Sequence, residues 1–143
     1  METKKNKMEL IQSCVSVSVT DMRIGNLFEL TFIPERSEYL KLTEITKVFE
    51  NEYGFSFEKN QFRLLDLIFI IPITEELLLK IGAIKLDFKD FPSFNLFGTQ
   101  INFINGLWID YATRVEIKGL HHLQNIFFFR NSEELQVSSL TEH

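Results

Sequence analysis

His121 and His122, the acid pairs Glu75–Glu76 and Glu133–Glu134, and the lone thiol Cys14 are the residues whose types could do chemistry. A metal needs ligands that converge. Adjacent residues on a helix point about 100° apart, so His121 and His122 do not face one ion, and His143 is terminal. Their simpler role is structural: His121 satisfying a hydrogen bond at a helix start, with Gln124 and Asn125 contacting the backbone of a neighbouring sheet. Acid–base work needs two carboxylates held across one bond at a set separation. Neighbouring acids in the first turn of a helix have a simpler cause in the helix dipole. One cysteine can make neither an internal disulfide nor a thiolate zinc site, and Cys14, set among Val15, Val17 and Val19, reads as a small buried hydrophobe on a strand. There is no Walker A loop, no G-x-S-x-G and no H-E-x-x-H. The expectation is a non-enzyme with no catalytic residues, no cofactor and no metal.

The aromatic residues are a different matter. Fifteen phenylalanines in 143 residues exceed what one small core uses, so some are expected on a surface that a partner covers. Phe91-Pro92-Ser93-Phe94-Asn95-Leu96-Phe97-Gly98 sets three rings among loop-forming residues, and Trp108 and Tyr111 follow on what reads as the next strand. Phe127-Phe128-Phe129 cannot all face one core from a helix. The candidate partner-binding residues are therefore Phe91, Phe94, Phe97, Trp108, Tyr111, Phe128 and Phe129. The competing reading folds these rings back onto the sheet as core. Lys85, Lys89, Arg114, Lys118 and Arg130 could form a basic patch beside them, suited to a single nucleic-acid strand, or could be solvated sheet faces.

The elements that must position these residues read as follows. Residues 10–20 alternate as a strand, Gly25-Asn26 marks a turn, and Leu27 to Ile33 is a second strand. Residues 38–53 fit either a helical stripe or a strand; Phe55 and Phe57 alternate; residues 62–71 read as a buried strand. Thr74 is placed to cap a short helix with acids in its first turn, Lys80 near its end and Gly82 as its stop. Residues 84–117 read as a meander, with strands at Ile84–Phe88, Gln100–Ile104 and Leu107–Ile117 and a hairpin turn at Asn105-Gly106. Leu120, Leu123, Ile126 and Phe127 return to helical spacing, with Asn131 as a stop. Glu133 to Val137 could be a last short strand, and the tail from Ser138 reads as loose.

Three segments together carry a resemblance: Met22-Arg23-Ile24-Gly25-Asn26-Leu27; Ile71-Pro72-Ile73-Thr74-Glu75-Glu76-Leu77-Leu78 with Lys80 and Gly82; and His121-His122-Leu123-Gln124-Asn125-Ile126-Phe127-Phe128 with Glu133-Glu134-Leu135. In this order they resemble a family of small proteins of Bacteroidota, their phages and mobile elements, with motifs of the form LRIGNxV, PIPLTEEWLLKFGF and VHQLQNLYFALTGEEL. Leu77 stands where that pattern has Trp, and Asn131-Ser132 where it has Thr-Gly. The resemblance implies an SH3-like small barrel in the first part, a strand over 39–46, a capped helix, a short sheet and a helix at 120–130. It brings no catalytic residues, and it implies a setting among phage and defence genes, a CRISPR-type effector complex included.

The fold class expected is α+β, mostly antiparallel β: one compact unit over residues 1–143, with an SH3-like β part at 10–71 and a helix–meander–helix part at 72–137. The net charge is −5 and the pI about 5.2, which disfavours non-specific nucleic-acid binding. The basic start, Met1 to Lys7, has no apolar stretch of signal-peptide length after it, and the longest apolar run, Leu64 to Ile73, contains Asp66 and Pro72 and is too short for a bilayer. The expectation is a cytoplasmic protein with no membrane contact, whose partner is a larger effector or toxin, or a second copy in a homodimer. The alternatives are a nucleic-acid-binding module, with contact through a local patch or a bound complex, and an immunity-type inhibitor of a toxin.

Overall fold

The computed structural model describes residues 21–32, 36–50 and 52–141. The expected strand at 10–20, Cys14 included, and His143 lie outside them. The chain divides into two compact units, Met1–Ile71 and Pro72–His143. The class is α+β with antiparallel sheets throughout.

In the first unit β1 (Leu27–Phe32), β2 (Arg36–Phe49), β3 (Glu52–Phe57) and β4 (Gln61–Leu64) pair in sequence order. The Gly25-Asn26 turn leads in: Gly25 sits at φ 98°, and the Arg23 amide donates to Asn26 Oδ1 at 2.6 Å. The 14-residue β2 pairs with β1 over its first half and with β3 over its second. Register shifts at Leu42/Glu44 and Lys47/Phe49 bend it, as an extra residue in a ladder does. The sheet curls into a half-barrel, and Phe69 returns to the free side of β1, exchanging two backbone hydrogen bonds of 3.0 Å with Glu29. Phe28, Leu30, Leu40, Leu42, Phe55, Phe57 and Ile68 fill the inside, with Phe28 and Phe57 edge to face at 6.4 Å. The described part of the ambiguous segment 38–53 is thus strand, apart from the turn residue Glu50. The buried strand expected over 62–71 is corrected: Gln61–Leu64 is an edge strand with Phe62 and Leu64 exposed, then a 3-10 turn, Leu65–Leu67, interrupts it.

The second unit starts with α1 (Glu75–Lys80). The Thr74 hydroxyl accepts from the Leu77 amide at 3.0 Å, acids occupy the first turn, and Gly82 ends the helix at φ 108°. A five-stranded meander follows in sequence order: β5 (Ile84–Leu86), β6 (Ser93–Leu96), β7 (Thr99–Ile104), β8 (Leu107–Asp110) and β9 (Val115–Glu116). Asn105 and Gly106, at φ 53° and 79°, make the two-residue turn expected of them. α2 (Leu120–Asn131) buries Leu120, Leu123, Gln124 and Phe127 at 3–4 spacing, and Ser132, left-handed at φ 56°, closes it by donating its amide to Phe128 at 2.8 Å. Among the described residues no helix is long and apolar enough to cross a membrane.

Three expectations are corrected in this unit. The strand over Leu107–Ile117 is two strands: Asp110 starts a tight turn, its carboxylate accepting from the Thr113 hydroxyl at 2.7 Å and amide at 3.3 Å while its carbonyl accepts from Arg114 at 2.8 Å. At the start of α2 His122 accepts through Nδ1 from the Lys118 amide at 3.1 Å, and His121 is buried. Glu133 to Gln136 forms no strand. The tail makes a 3-10 turn, Ser138–Leu140, and the Ser139 hydroxyl donates to the Lys80 carbonyl at 2.9 Å.

Candidate interaction surface

The aromatic segment around Phe94 is not a loop. Ser93 to Leu96 is β6, and the chain reverses over just two residues, Phe97 and Gly98, because Leu96 pairs with Thr99. Both turn residues have positive φ, 47° and 95°. That is the mirror-image turn matched to the twist of hairpin strands, normally built from Asn or Gly. Phenylalanine there is strained by about 1–2 kcal/mol. The residue stays 62% exposed, its ring edge to face with Phe127 at 6.4 Å. It also covers Gly82, where a Cβ would lie 2.8 Å from the ring.

The registers sort the candidate residues into two ends of the sheet. Phe97 lies in the β6–β7 turn, and Tyr111, in the β8–β9 turn, donates its amide to Gln100 at 3.0 Å. These turns share one end, about 10 Å apart at two strand spacings. The end of α2 is fastened there. Arg130 donates to both carboxylate oxygens of Asp110, at 3.0 and 2.8 Å, and to the Thr99 hydroxyl at 3.4 Å. Burial on its own would push the Asp110 carboxyl up; hydrogen bonds from Arg130 and Thr113 outweigh it and hold the group below the ordinary carboxylate range. The same helix end presents Phe129, 83% exposed, with Phe128 half-buried against it at 6.5 Å.

Trp108 and Phe91 belong to the opposite end. Trp108 pairs with Phe103, their rings 4.6 Å apart, the Phe103 amide donates to Pro92, and Phe91 packs on Phe88 at 6.1 Å. Phe94 is fully buried, 5.7 Å from Trp108; it is core. Phe97, Tyr111, Phe128 and Phe129 thus lie at the same end of the unit, and Phe91, Phe94 and Trp108 do not.

Beside Phe97 a groove of ≈ 540 Å³ runs between the turn, the end of α2 and the segment that follows it. Phe127 and Leu135 are its buried apolar floor, and Asn131, Glu133, Glu134 and Gln136 line its sides. Leu135 and the Asp110–Arg130 pair carry this architecture and escape sequence reasoning. The available signals were Thr113 three residues after Asp110, the spacing at which a side-chain carboxylate caps a turn, and the two alternating runs around Phe97-Gly98.

The five cations suggested as a patch do not form one. Lys85 is paired with Glu75 at 3.1 Å and Arg130 with Asp110. Lys85 on β5 and Arg114 in the β8–β9 turn flank opposite edges of the sheet, about 15–19 Å apart at 4.8 Å per strand. Among the described residues no group of three or more His, Cys, Asp or Glu side chains could hold a metal ion. No protein-family model matches the chain, and neither a curated protein nor a solved structure is significantly similar to it.

Proposed function

We propose that this chain is a non-enzymatic protein-binding protein, working through the aromatic end of its second unit, where it docks on a larger protein or a second copy of itself. The observation that carries the reading is Phe97. A large apolar ring holds a strained turn position that asparagine or glycine would fill without cost, and it stays mostly exposed there. Strain kept together with exposed apolar surface is what a binding site needs and a core does not. Tyr111 and Phe129 extend the surface, and aromatic side chains are the usual anchors of protein interfaces. The setting comes from the motif resemblance alone: an accessory protein of a phage, a mobile element or a defence locus, a CRISPR-type effector complex included.

Light scattering after size exclusion, at low and high salt, tests the second copy as occupant. The expected result is a dimer of twice 16.9 kDa at both salts, reduced to monomer by Phe97→Asn and Phe129→Ser. A monomer at both salts removes self-association and leaves a different protein as the partner. Capture from host cells that is equal for the native chain and the double variant would then reject the aromatic surface altogether.

A further inference from the structure

We propose that the open edge of β4, in the first unit, takes an extended segment of a partner protein in which an acidic residue stands between two apolar ones. This surface is separate from the aromatic end of the second unit. β4 pairs with β3 on one side, and among the described residues no strand lies on its other side. An edge strand presents unpaired backbone donors and acceptors, and another extended chain satisfies them in kind. The edge therefore selects the conformation of the occupant, and the side chains of β4 select its residues.

The register fixes which way those side chains face. Arg63 stands opposite Phe55, a fully buried core residue, so it lies on the concave side of the half-barrel. Phe62 and Leu64 stand opposite Ser56 and Gly54 and lie on the convex side, 49% and 43% exposed. There Phe62 covers Gly54 beside Val48: a Cβ on Gly54 would collide with the Phe62 ring and lie 3.0 Å from Val48 Cγ2. Side chains of a strand added to this edge alternate between the same two sides. Residues opposite Phe62 and Leu64 meet apolar surface, because directly opposed side chains start about 5 Å apart.

The residue between them meets Arg63. That guanidinium donates to the Phe62 carbonyl at 2.8 Å and the Thr31 carbonyl at 3.4 Å, and it lies 5.3 Å from the centre of the Phe32 ring. Among the described residues no carboxylate pairs with it. Arg36 lies over the same ring at 5.3 Å, and its carboxylate, Glu38 at 4.0 Å, is held more closely by Lys59 at 2.7 Å. An inward-pointing charge ordinarily keeps foreign strands off an edge. Arg63 does so against a strand with a cation or an apolar residue at that place, since one is repelled and the other buries the guanidinium without a partner. A carboxylate turns the same charge into an attraction, so one side chain both guards the edge and selects what may pair with it. The pattern apolar–acid–apolar reads the same in either direction, so it holds for parallel and antiparallel pairing alike.

The test is selection of a random-sequence, messenger-RNA-displayed heptapeptide library on the full native chain and, separately, on Arg63→Glu. The expected result is Asp or Glu flanked by apolar residues on the native chain, and Lys or Arg in the same place on Arg63→Glu. The enriched peptides, made synthetically, should bind Phe62→Ser about tenfold more weakly and Phe97→Asn as well as the native chain. N-methylation of one alternate set of peptide amides should abolish binding, and of the other set should spare it, as pairing along one edge requires. Unchanged thermal unfolding will show that the variants are folded; if Arg63→Glu does not fold, Phe62→Ser and the methylated peptides still decide. Enriched peptides without an acid, the same preference on folded Arg63→Glu, indifference to the position of methylation, or no enrichment would each overturn the inference. So would a dimer broken by Phe62→Ser, because a second copy would then hold the edge. None of these outcomes touches the aromatic end, which stands or falls on Phe97→Asn and Phe129→Ser.

Discussion

Replacing Arg130 by methionine keeps the stem of the side chain and removes its charge. Asp110 is fully buried and accepts two hydrogen bonds from Arg130 and two from Thr113. In Arg130→Met it keeps Thr113 alone. Breaking a buried ion pair by removing one partner costs about 3–5 kcal/mol. A ceiling also follows, because the stranded carboxylate can take up a proton: from an ordinary pKa near 4 to pH 7 that costs about 1.36 kcal/mol per unit, or roughly 4 kcal/mol. Arg130 is 30% exposed, so water softens the loss and about 2–3 kcal/mol is expected. The pH dependence has a definite sign. In the native protein the Asp110 pKa lies below its unfolded value, so its contribution is complete above pH 4–5 and is lost as pH falls below about 4. In Arg130→Met burial dominates and the pKa rises, so the penalty is largest at neutral pH and is relieved on acidification. The assay is urea unfolding at pH 7 and pH 3, followed by Trp108, the single tryptophan, which lies in the unit concerned. A loss at pH 7 below about 1 kcal/mol, or an equal loss at both pH values, would refute the assignment of Asp110–Arg130 as the clamp on α2.

Three further substitutions test the local geometry. Gly82→Ala should cost about 2 kcal/mol, because φ is +108° and the new Cβ would lie 2.8 Å from the Phe97 ring; in a Phe97→Asn background only the backbone part should remain, as urea titrations of the two pairs would show. At Gly54, a Cβ would collide with the Phe62 ring, which is 49% exposed and can swing away. Gly54→Ala should therefore cost about 1 kcal/mol by thermal unfolding and almost nothing alongside Phe62→Ala, a coupling that distant sites do not show. Thr74→Ala removes the 3.0 Å bond to the Leu77 amide and should cost about 1 kcal/mol, read as a lower urea midpoint with unchanged slope.

Local chemistry made part of this fold legible. Thr74, Glu75, Glu76 and Gly82 mark α1 because caps, dipole and left-handed stop act within a few residues of themselves. Asn105-Gly106 marks its hairpin for the same reason. The failures arose where a distant partner decides. Phe94 and Phe97 stand three residues apart in similar company, and the difference between core and surface is the cross-strand pairing that turns the chain at Phe97. Tyr111 was placed on a strand because neither glycine nor proline interrupts Leu107 to Ile117; the turn that Asp110 makes with Thr113 and Arg114 breaks it. Arg130 read as a free cation because its partner lies 20 residues earlier on another element. Within the aromatic set, Phe129 was foreseeable from the helical geometry of Phe127-Phe128-Phe129, whereas the groove depends on Leu135, whose segment lacks any periodic signal longer than a few residues.

The pairing order of the two sheets bears on how the chain reaches this structure. Among the described residues every strand pairs with its neighbours in sequence, β1 to β4 and β5 to β9, so each ladder can zip from a short turn. Contact order is therefore low for a protein rich in strand, and such topologies fold faster than sandwiches with distant pairings. A longer-range pairing is the Glu29–Phe69 bridge, which joins positions 40 residues apart. Closing that loop costs about 2 kcal/mol more chain entropy than closing a four-residue turn, by (3/2)RT ln n. That entropy is recovered only once β1 to β4 have brought the two ends within reach. The half-barrel should thus zip first and latch last, with the Phe69 seam forming after the folding transition state and opening first in hydrogen exchange.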